Sequence, residues 1–397
     1  MIKTQKTNIG AAKPTVASAD IDPTRNAARR STTAAKKAVL PGQVVLVLQG
    51  GGALGAYQVG VYQALHEAGI EPDWVIGTSI GAINASLIAG NEPGHRMERL
   101  STFWDQMQAS APSTPQWDIF GLSNALANMA TVTRGIPNFF TPNLHALRGQ
   151  NAALGVEAAA YYSTAPLRET LTELVDFDYL CQRRTRMTVG AVNAVSGEMR
   201  YFDSAKESLG VDHVMASGAL PPAFGAIRID GQPYWDGGIY SNTPIEAVLD
   251  DKPRRDALIF AVNVWHQTGP EPVSIRDVMG RQKDIQFGSR ADSHIVRQKQ
   301  IHRLRHVIRE LHKQIPAAKQ GDAKVKELAS WGCGTTMHVA HLVAPRLDGE
   351  DHTKDIDFTR SGVQARRHAG YVDTLNMIER APWTQAADPI EGVIEHR

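Results

Sequence analysis

The chain has 397 residues, 42% of them hydrophobic, and its Lys+Arg 42 balance Asp+Glu 41. That length buries a sizeable core, as one large domain with extensions or as two domains, and a net charge near zero gives no reason to expect nucleic acid or another polyanion as partner. The two cysteines, Cys181 and Cys333, form no CxxC or Cys/His ligand spacing, so neither a disulfide framework nor a zinc site is expected and a reducing, cytoplasmic setting is the default.

Residues 1–40 hold eight basic side chains against Asp20 and Asp22 and almost nothing large and apolar, which reads as a disordered, solvated basic tail. No run approaches the roughly 20 apolar residues that span a bilayer, and the N-terminus lacks the apolar core of a secretory signal. Gln43 to Gln49 is a nearly continuous apolar run led by Pro41-Gly42, as in a strand buried on both faces of a parallel sheet. A glycine turn, Gly50-Gly51-Gly52-Ala53-Leu54-Gly55, ends it. Ala56 to Ala68 has helical spacing and stops at Gly69; Asp73 to Thr78 is a second short strand; Ile80 to Ala89 is a small-residue helix. This βαβα start is the signature of an α/β sheet.

From Gly94 to about Val175 the pattern loosens, with helices expected near 95–107 and 165–175 and room for a cap or lid between them. Met187–Val195 and Glu198–Asp203 read as a hairpin at a sheet edge. Val211–Ser217 reads as a helix, and Ala226–Asp230 and Tyr234–Trp235 as strands leading into Asp236-Gly237-Gly238. Thr243-Pro244-Ile245-Glu246 has the form of a capping box, and Ala257–Trp265 of another buried strand. Residues 273–315 read as long helical sequence with ten Lys/Arg against four Asp/Glu. Ile301, Leu304, Ile308, Leu311 and Ile315 recur at steps of three and four, an amphipathic helix expected to pack that stripe on the core and keep a solvated basic face. The same stripe is also suited to an anionic membrane surface. His294, His302, His306 and His312 are expected at the surface or in stacking contacts rather than on a metal. Met337–Ala344 and Thr359–Arg380 close the chain as strand and helix.

The chemistry concentrates in the glycine turns. Gly77-Thr78-Ser79-Ile80-Gly81 has the G-x-S-x-G form of a nucleophile elbow, in which small neighbours let a strand turn sharply into a helix and expose the serine Oγ. Three consecutive glycines upstream let backbone N–H groups approach an oxyanion. A serine needs a base. His213 and His266 are conceivable, but neither lies in a distinctive turn; Asp236, at a strand end before two glycines, is the better candidate. Alone, the first turn also fits a dinucleotide fingerprint with Glu71 or Asp73 as its acidic partner, but that site would not need the neighbouring elbow.

In this order, the three motifs resemble the patatin-like phospholipases, over roughly residues 45–250. The resemblance implies a three-layer αβα fold with a largely parallel central sheet. It implies a cofactor-free serine acyl hydrolase with Ser79 as nucleophile, Asp236 as base and the N–H groups of Gly50, Gly51 and Gly52 as oxyanion hole, Gly51 and Gly52 foremost. Gly55, Gly77, Gly81, Gly237 and Gly238 shape the turns. The organisation expected is a tail at 1–40, a hydrolase domain at 43–268 and a mostly helical extension at 269–397, packed on or completing the core. Gln49 and Leu54 stand where many family members carry Asp and a basic residue. Loss of that charge turns the expectation from anionic headgroups towards neutral esters of lipids, with a thioesterase, a polyester depolymerase or a non-catalytic lipid-binding protein as alternatives.

Overall fold

Five successive apolar residues make β1 (Gln43–Leu48) a strand that has to be covered on both faces, and they divide between two cores. Val44, Leu46 and Leu48 enter one buried cluster, Val45 and Val47 the other, because successive side chains point to opposite faces. The computed structural model describes residues 40–109 and 133–397, residues 289, 349, 387 and 389 excepted. The segment expected as basic tail lies outside these residues but for Leu40, as do residues 110–132 of the stretch with room for a cap. From Leu40 onward the chain is one unit.

Among the described residues eleven strands follow in order: β1, β2 (Trp74–Gly77), β3 (Thr141–Pro142), β4 (Tyr162–Ser163), β5 (Arg186–Asn193), β6 (Met199–Asp203), β7 (Ile227–Ile229), β8 (Gln232–Asp236), β9 (Ala257–Asn263), β10 (Met337–Val343) and β11 (Val393–His396). Nine form one sheet in the order β11-β10-β9-β1-β2-β5-β8-β7, with β6 also on β5; β3 and β4 pair separately. The run from β11 to β5 is parallel, while β6, β7 and β8 pair antiparallel. Of the expected edge hairpin only β6 lies off the main path; β5 is interior. The longer helices are α1 (Ala56–Glu67), α2 (Ile80–Ala89), α3 (Pro93–Ala109), α4 (Ala165–Leu174), α5 (Val211–Ser217), α6 (Ile275–Gly288), α7 (Arg290–Lys313) and α8 (Arg360–Arg380). Residues of α1, α2, α4 and α5 share the core of Leu46, whereas Ile295 of α7 shares that of Val45, so helices cover both faces.

β1 has β2 on one side and β9 on the other, so the chain leaves it in both directions across the sheet. The crevice beyond the carboxyl end of such a strand is where open α/β sheets bind ligands. Here the glycine turn at residues 50–55 opens into it.

Two expectations fail. Thr243 does not cap a helix: the short helix Glu246–Leu249 has Ile245 at its N-cap with no side-chain cap bond. The Thr243 hydroxyl is taken by Gln49 and Asn263, and the Glu246 carboxylate by the Tyr201 hydroxyl. In α7 the stripe ending at Ile315 does not face the core, for Leu304 is 64% and Leu311 61% exposed. The buried seam is Ile295, Gln298, His302 and His306, so His302 and His306 are not surface residues. Their Nε2 atoms meet the Leu249 and Thr335 carbonyls, and Gln298 donates to Asp250. Polar partners on the far elements thus turn the helix about its axis.

The crossing of α1 and α8 is a backbone contact. A Cβ on Gly60 would stand 1.9 Å from the Arg367 carbonyl oxygen, and one on Gly370 2.1 Å from that of Tyr57. Overpacking of a close contact costs about 1–3 kcal/mol. Gly370→Val is therefore expected to lower the unfolding free energy by at least that range in urea denaturation; an unchanged midpoint would show that the helices separate freely.

Candidate active site

Ser79 stands between β2 and α2 with φ 56 and ψ −126, a left-handed backbone for a residue with a side chain. Such strain costs on the order of 1–3 kcal/mol and is held only by surroundings that over-determine it. Here the glycines do so. A Cβ on Gly77 would lie 2.2 Å from the Gly81 carbonyl oxygen, and one on Gly81 would lie 2.2 Å from that of Leu48 at the end of β1. The Ser79 N–H is fixed by the Ser217 carbonyl at 3.1 Å and its Oγ at 3.2 Å, and Ser217 Oγ in turn donates to the Gly190 carbonyl. The turn leaves the Ser79 side chain partly exposed.

Asp236 ends β8 and is 2% exposed. Its carboxylate accepts the Gly238 N–H at 2.7 Å and lies within electrostatic reach of the Ser79 hydroxyl. Burial pushes its pKa up from 3.8 to about 7, against the smaller opposing effects of these two groups. Neither histidine takes this place. His213 accepts the Gly210 N–H and packs its ring on Phe202; His266, held neutral by burial and by Lys354 and Arg346, lines a separate cavity of about 620 Å³ whose walls contain neither Ser79 nor Asp236.

The glycine turn corrects one expected role. The Gly50 N–H donates to the Asn242 carbonyl at 3.1 Å and so is not free for an oxyanion. Its carbonyl accepts from Asn242 Nδ2 at 3.0 Å and Trp265 Nε1 at 2.8 Å. The Gly51 and Gly52 N–H groups have no acceptor among the described residues. Gly52 has φ +55, and a Cβ there would meet the Asp355 carbonyl oxygen at 2.2 Å, so only glycine fits.

Ser79, Asp236 and Gly50 to Gly52 share the wall of one cavity of about 250 Å³. Most of the rest of its lining is apolar, with Asn242 and Asp355 as polar members: Ile80, Ile83, Leu220, Ile356 and a ring cluster of Phe139, Phe140, Tyr162, Phe224 and Phe358, whose neighbouring centroids lie 4.9–6.3 Å apart. Among the described lining residues there is no Lys, Arg or His. The described residues contain no cluster of three or more His, Cys, Asp or Glu able to hold a metal.

A family model described as patatin-like phospholipase matches residues 46–249, half of the chain. The chain belongs to the patatin-like phospholipase family. A second, described as patatin phospholipase, matches residues 285–390. The cGAMP-activated phospholipase of Pseudomonas aeruginosa is 27% identical over 247 residues, 58% of this chain and 64% of that protein. Lysophospholipase NTE1 of Candida glabrata is 28% identical over 60% of this chain and 12% of its own length, and patatin-like phospholipase domain-containing protein 6 of Mus musculus 39% identical over 22% and 6%. The chain thus spans a small fraction of the latter two. Among solved structures, VipD from Legionella pneumophila aligns over 85% of this chain and 67% of its own at 14% identity, TM-score 0.37.

Sequence reasoning missed Ser217, Asn242, Trp265 and the ring cluster. Asn242 follows the Asp-Gly-Gly turn by four residues and Trp265 lies just past a strand end, positions that face the crevice. The rings come from four separate segments and carry no common pattern.

A buried carboxylate that ionises only near pH 7 costs stability. The unfolded chain ionises Asp236 near 3.8 and the folded chain near 7, so between these values the folded state holds the extra proton and its stability falls as pH rises. Asp236→Asn is expected to melt higher than wild type at pH 8 and to show a smaller excess at pH 4; equal differences at both pH values would refute the burial cost.

Proposed function

We propose that the protein is a serine acyl hydrolase that cleaves carboxylic esters of lipids with Ser79 and Asp236. The observation that carries this reading is the placing of the Ser79 hydroxyl and the buried Asp236 carboxylate in the wall of one largely apolar cavity, which two unengaged glycine N–H groups also line. Asp236 takes the hydroxyl proton as Ser79 Oγ attacks the acyl carbonyl, the Gly51 and Gly52 amides hold the oxyanion, and the proton passes to the departing alcohol. Water then repeats the sequence on the acyl-enzyme and releases the acid. Names such as lysophospholipase and phospholipase among the relatives agree with this chemistry.

The largely apolar lining supports an acyl chain as the buried part of the substrate, and the absence of Lys, Arg and His among its described residues supports a neutral ester over recognition of a phosphate beside Ser79. A thioester or polyester would meet the same dyad. A lipid surface fits as the working location. Val273, Ile275, Val278 and Met279 are 91%, 83%, 53% and 46% exposed on the segment whose last turn carries Phe287 into the cavity wall. No helix among the described residues is long and apolar enough to cross a membrane.

A fluorophosphonate probe is expected to add its mass to wild type and not to Ser79→Ala; an unlabelled wild type sinks the hydrolase reading. Because Asp236 works as a base only when ionised, kcat/KM for a p-nitrophenyl ester is expected to rise about tenfold per pH unit below 7 and to level off above 8, with Asp236→Asn inactive throughout. Phe140→Ala, which removes a ring central to the cluster, is expected to move the preferred chain length upward across an ester panel.

A further inference from the structure

The side-chain amide of Gln49 is fully engaged. Gln49 is 0% exposed, directly after β1 and before the glycine turn. Its Oε1 accepts the N–H groups of Val264 at 2.6 Å and Trp265 at 2.9 Å. Its Nε2 donates to Thr243 Oγ1 at 2.6 Å and to the Phe287 carbonyl at 3.1 Å. Two acceptor sites and two protons are all that a glutamine amide has, and the two N–H donors fix which end is oxygen. Asn242 repeats the device one step away: its Nδ2 spends one proton on the Gly50 carbonyl and the other, at 3.2 Å, on the same Phe287 carbonyl. Trp265, whose backbone Gln49 holds, gives its indole N–H to Gly50 and packs its ring on Phe287 at 5.1 Å.

The last turn of α6 is thus wired to the glycine turn through three side chains. α6 itself is anchored to residues 354–355 by two crossed ion pairs, Lys283 to Asp355 at 2.7 Å and Lys354 to Asp284 at 2.8 Å. The second is buried on both sides. The Asp355 carbonyl, on the same segment, is the group that comes against Gly52.

We propose that Gln49 is the positioning residue of the oxyanion loop, and that through it the C-terminal segment, α6 with residues 354–358, sets the aim of the Gly51 and Gly52 N–H groups. This rests on the dyad reading given above. An acid at position 49 has no proton for the Phe287 carbonyl and brings a charge into a dry site, so a chain with this C-terminal segment requires the amide. Loss of an oxyanion donor costs about 10²–10³ in kcat, and mis-aiming one without removing it costs less.

The experiment measures kcat, KM and the Ki of a trifluoromethyl ketone on the full chain carrying Gln49→Met, Trp265→Phe or Lys283→Met, and on the Gln49→Met/Lys283→Met pair, with melting curves for each. Gln49→Met is expected to lower kcat about 10- to 100-fold and raise the ketone Ki in proportion, with KM within about threefold. Trp265→Phe keeps the ring and loses the N–H, and is expected to lower kcat in the same sense should Gln49→Met fail to fold. Lys283→Met is expected to lower kcat several-fold in wild type and no further once Gln49 is gone. Single effects that multiply in the pair, or a loss confined to KM, overturns the proposal. Ser79→Ala inactive beside fully active Gln49→Met and Trp265→Phe overturns it while leaving the dyad; an inactive wild type overturns the dyad itself.

Discussion

The carbonyl of Leu48 occupies the space that a side chain at Gly81 would need, and this backbone contact, 2.2 Å to a notional Cβ, is what the rest of the site depends on. It brings the first turn of α2 against the end of β1. Because Gly77 lies as closely against Gly81, the chain between them has only a tight, left-handed path, and Ser79 is at its apex. The same contact sets Ser79 beside the glycine turn, since that turn begins one residue after Gln49. The proposed nucleophile and oxyanion donors are therefore registered by two adjacent parallel strands, whose pairing ends at Leu48 and Gly77.

Around this contact the core is wired with amides rather than filled only with hydrocarbon. Gln58 donates to the Gln49 carbonyl and accepts from Asn84, which also donates to the Gly55 carbonyl and accepts the Trp104 indole N–H. All of these groups are nearly fully buried. A buried amide left unpaired costs about 1–3 kcal/mol, so a network of this kind is satisfied in one arrangement of β1, α1, α2 and α3 and penalised in others. That explains how α2, buried on every side, holds a single register without a polar face.

The central motifs were legible because each rests on local sterics. An apolar run followed by glycines, a serine between small residues and an aspartate at a strand end are readable from neighbours in sequence, and they fall at the strand ends around the crevice. What was not legible depends on distant partners. Counting Ile and Leu in α7 selected Ile301, Leu304, Ile308 and Leu311, whereas the seam that packs is led by Ile295 and completed by Gln298, His302 and His306, chosen by acceptors on residues 249, 250 and 335. In sequence Gly50 counts with Gly51 and Gly52 as a donor, though behind them; only the position of Asn242, 192 residues away, shows that its N–H is spent. The ring cluster is invisible for the same reason, since Phe139, Tyr162, Phe224 and Phe358 meet only in space.

The proposed Ser/Asp dyad places a demand on its walls that a triad does not. Imidazole ionises near neutral pH by its own chemistry; the Asp236 carboxyl does so here because water is kept away, for desolvation is the one effect on it that raises its pKa, while the Gly238 N–H and the Ser79 hydroxyl lower it. The base strength of Asp236 is thus a property of the enclosure and not of the residue. The enclosure is built from both matched segments of the chain: Ile80, Phe140 and Leu220 from residues 46–249, Phe287, Ile356 and Phe358 from residues 285–390. In physical terms residues 285–358 belong to the candidate site: they help to close its cavity, the Phe287 carbonyl accepts from the Gln49 and Asn242 amides beside the glycine turn, and by excluding water they supply part of the proton affinity that the proposed dyad needs.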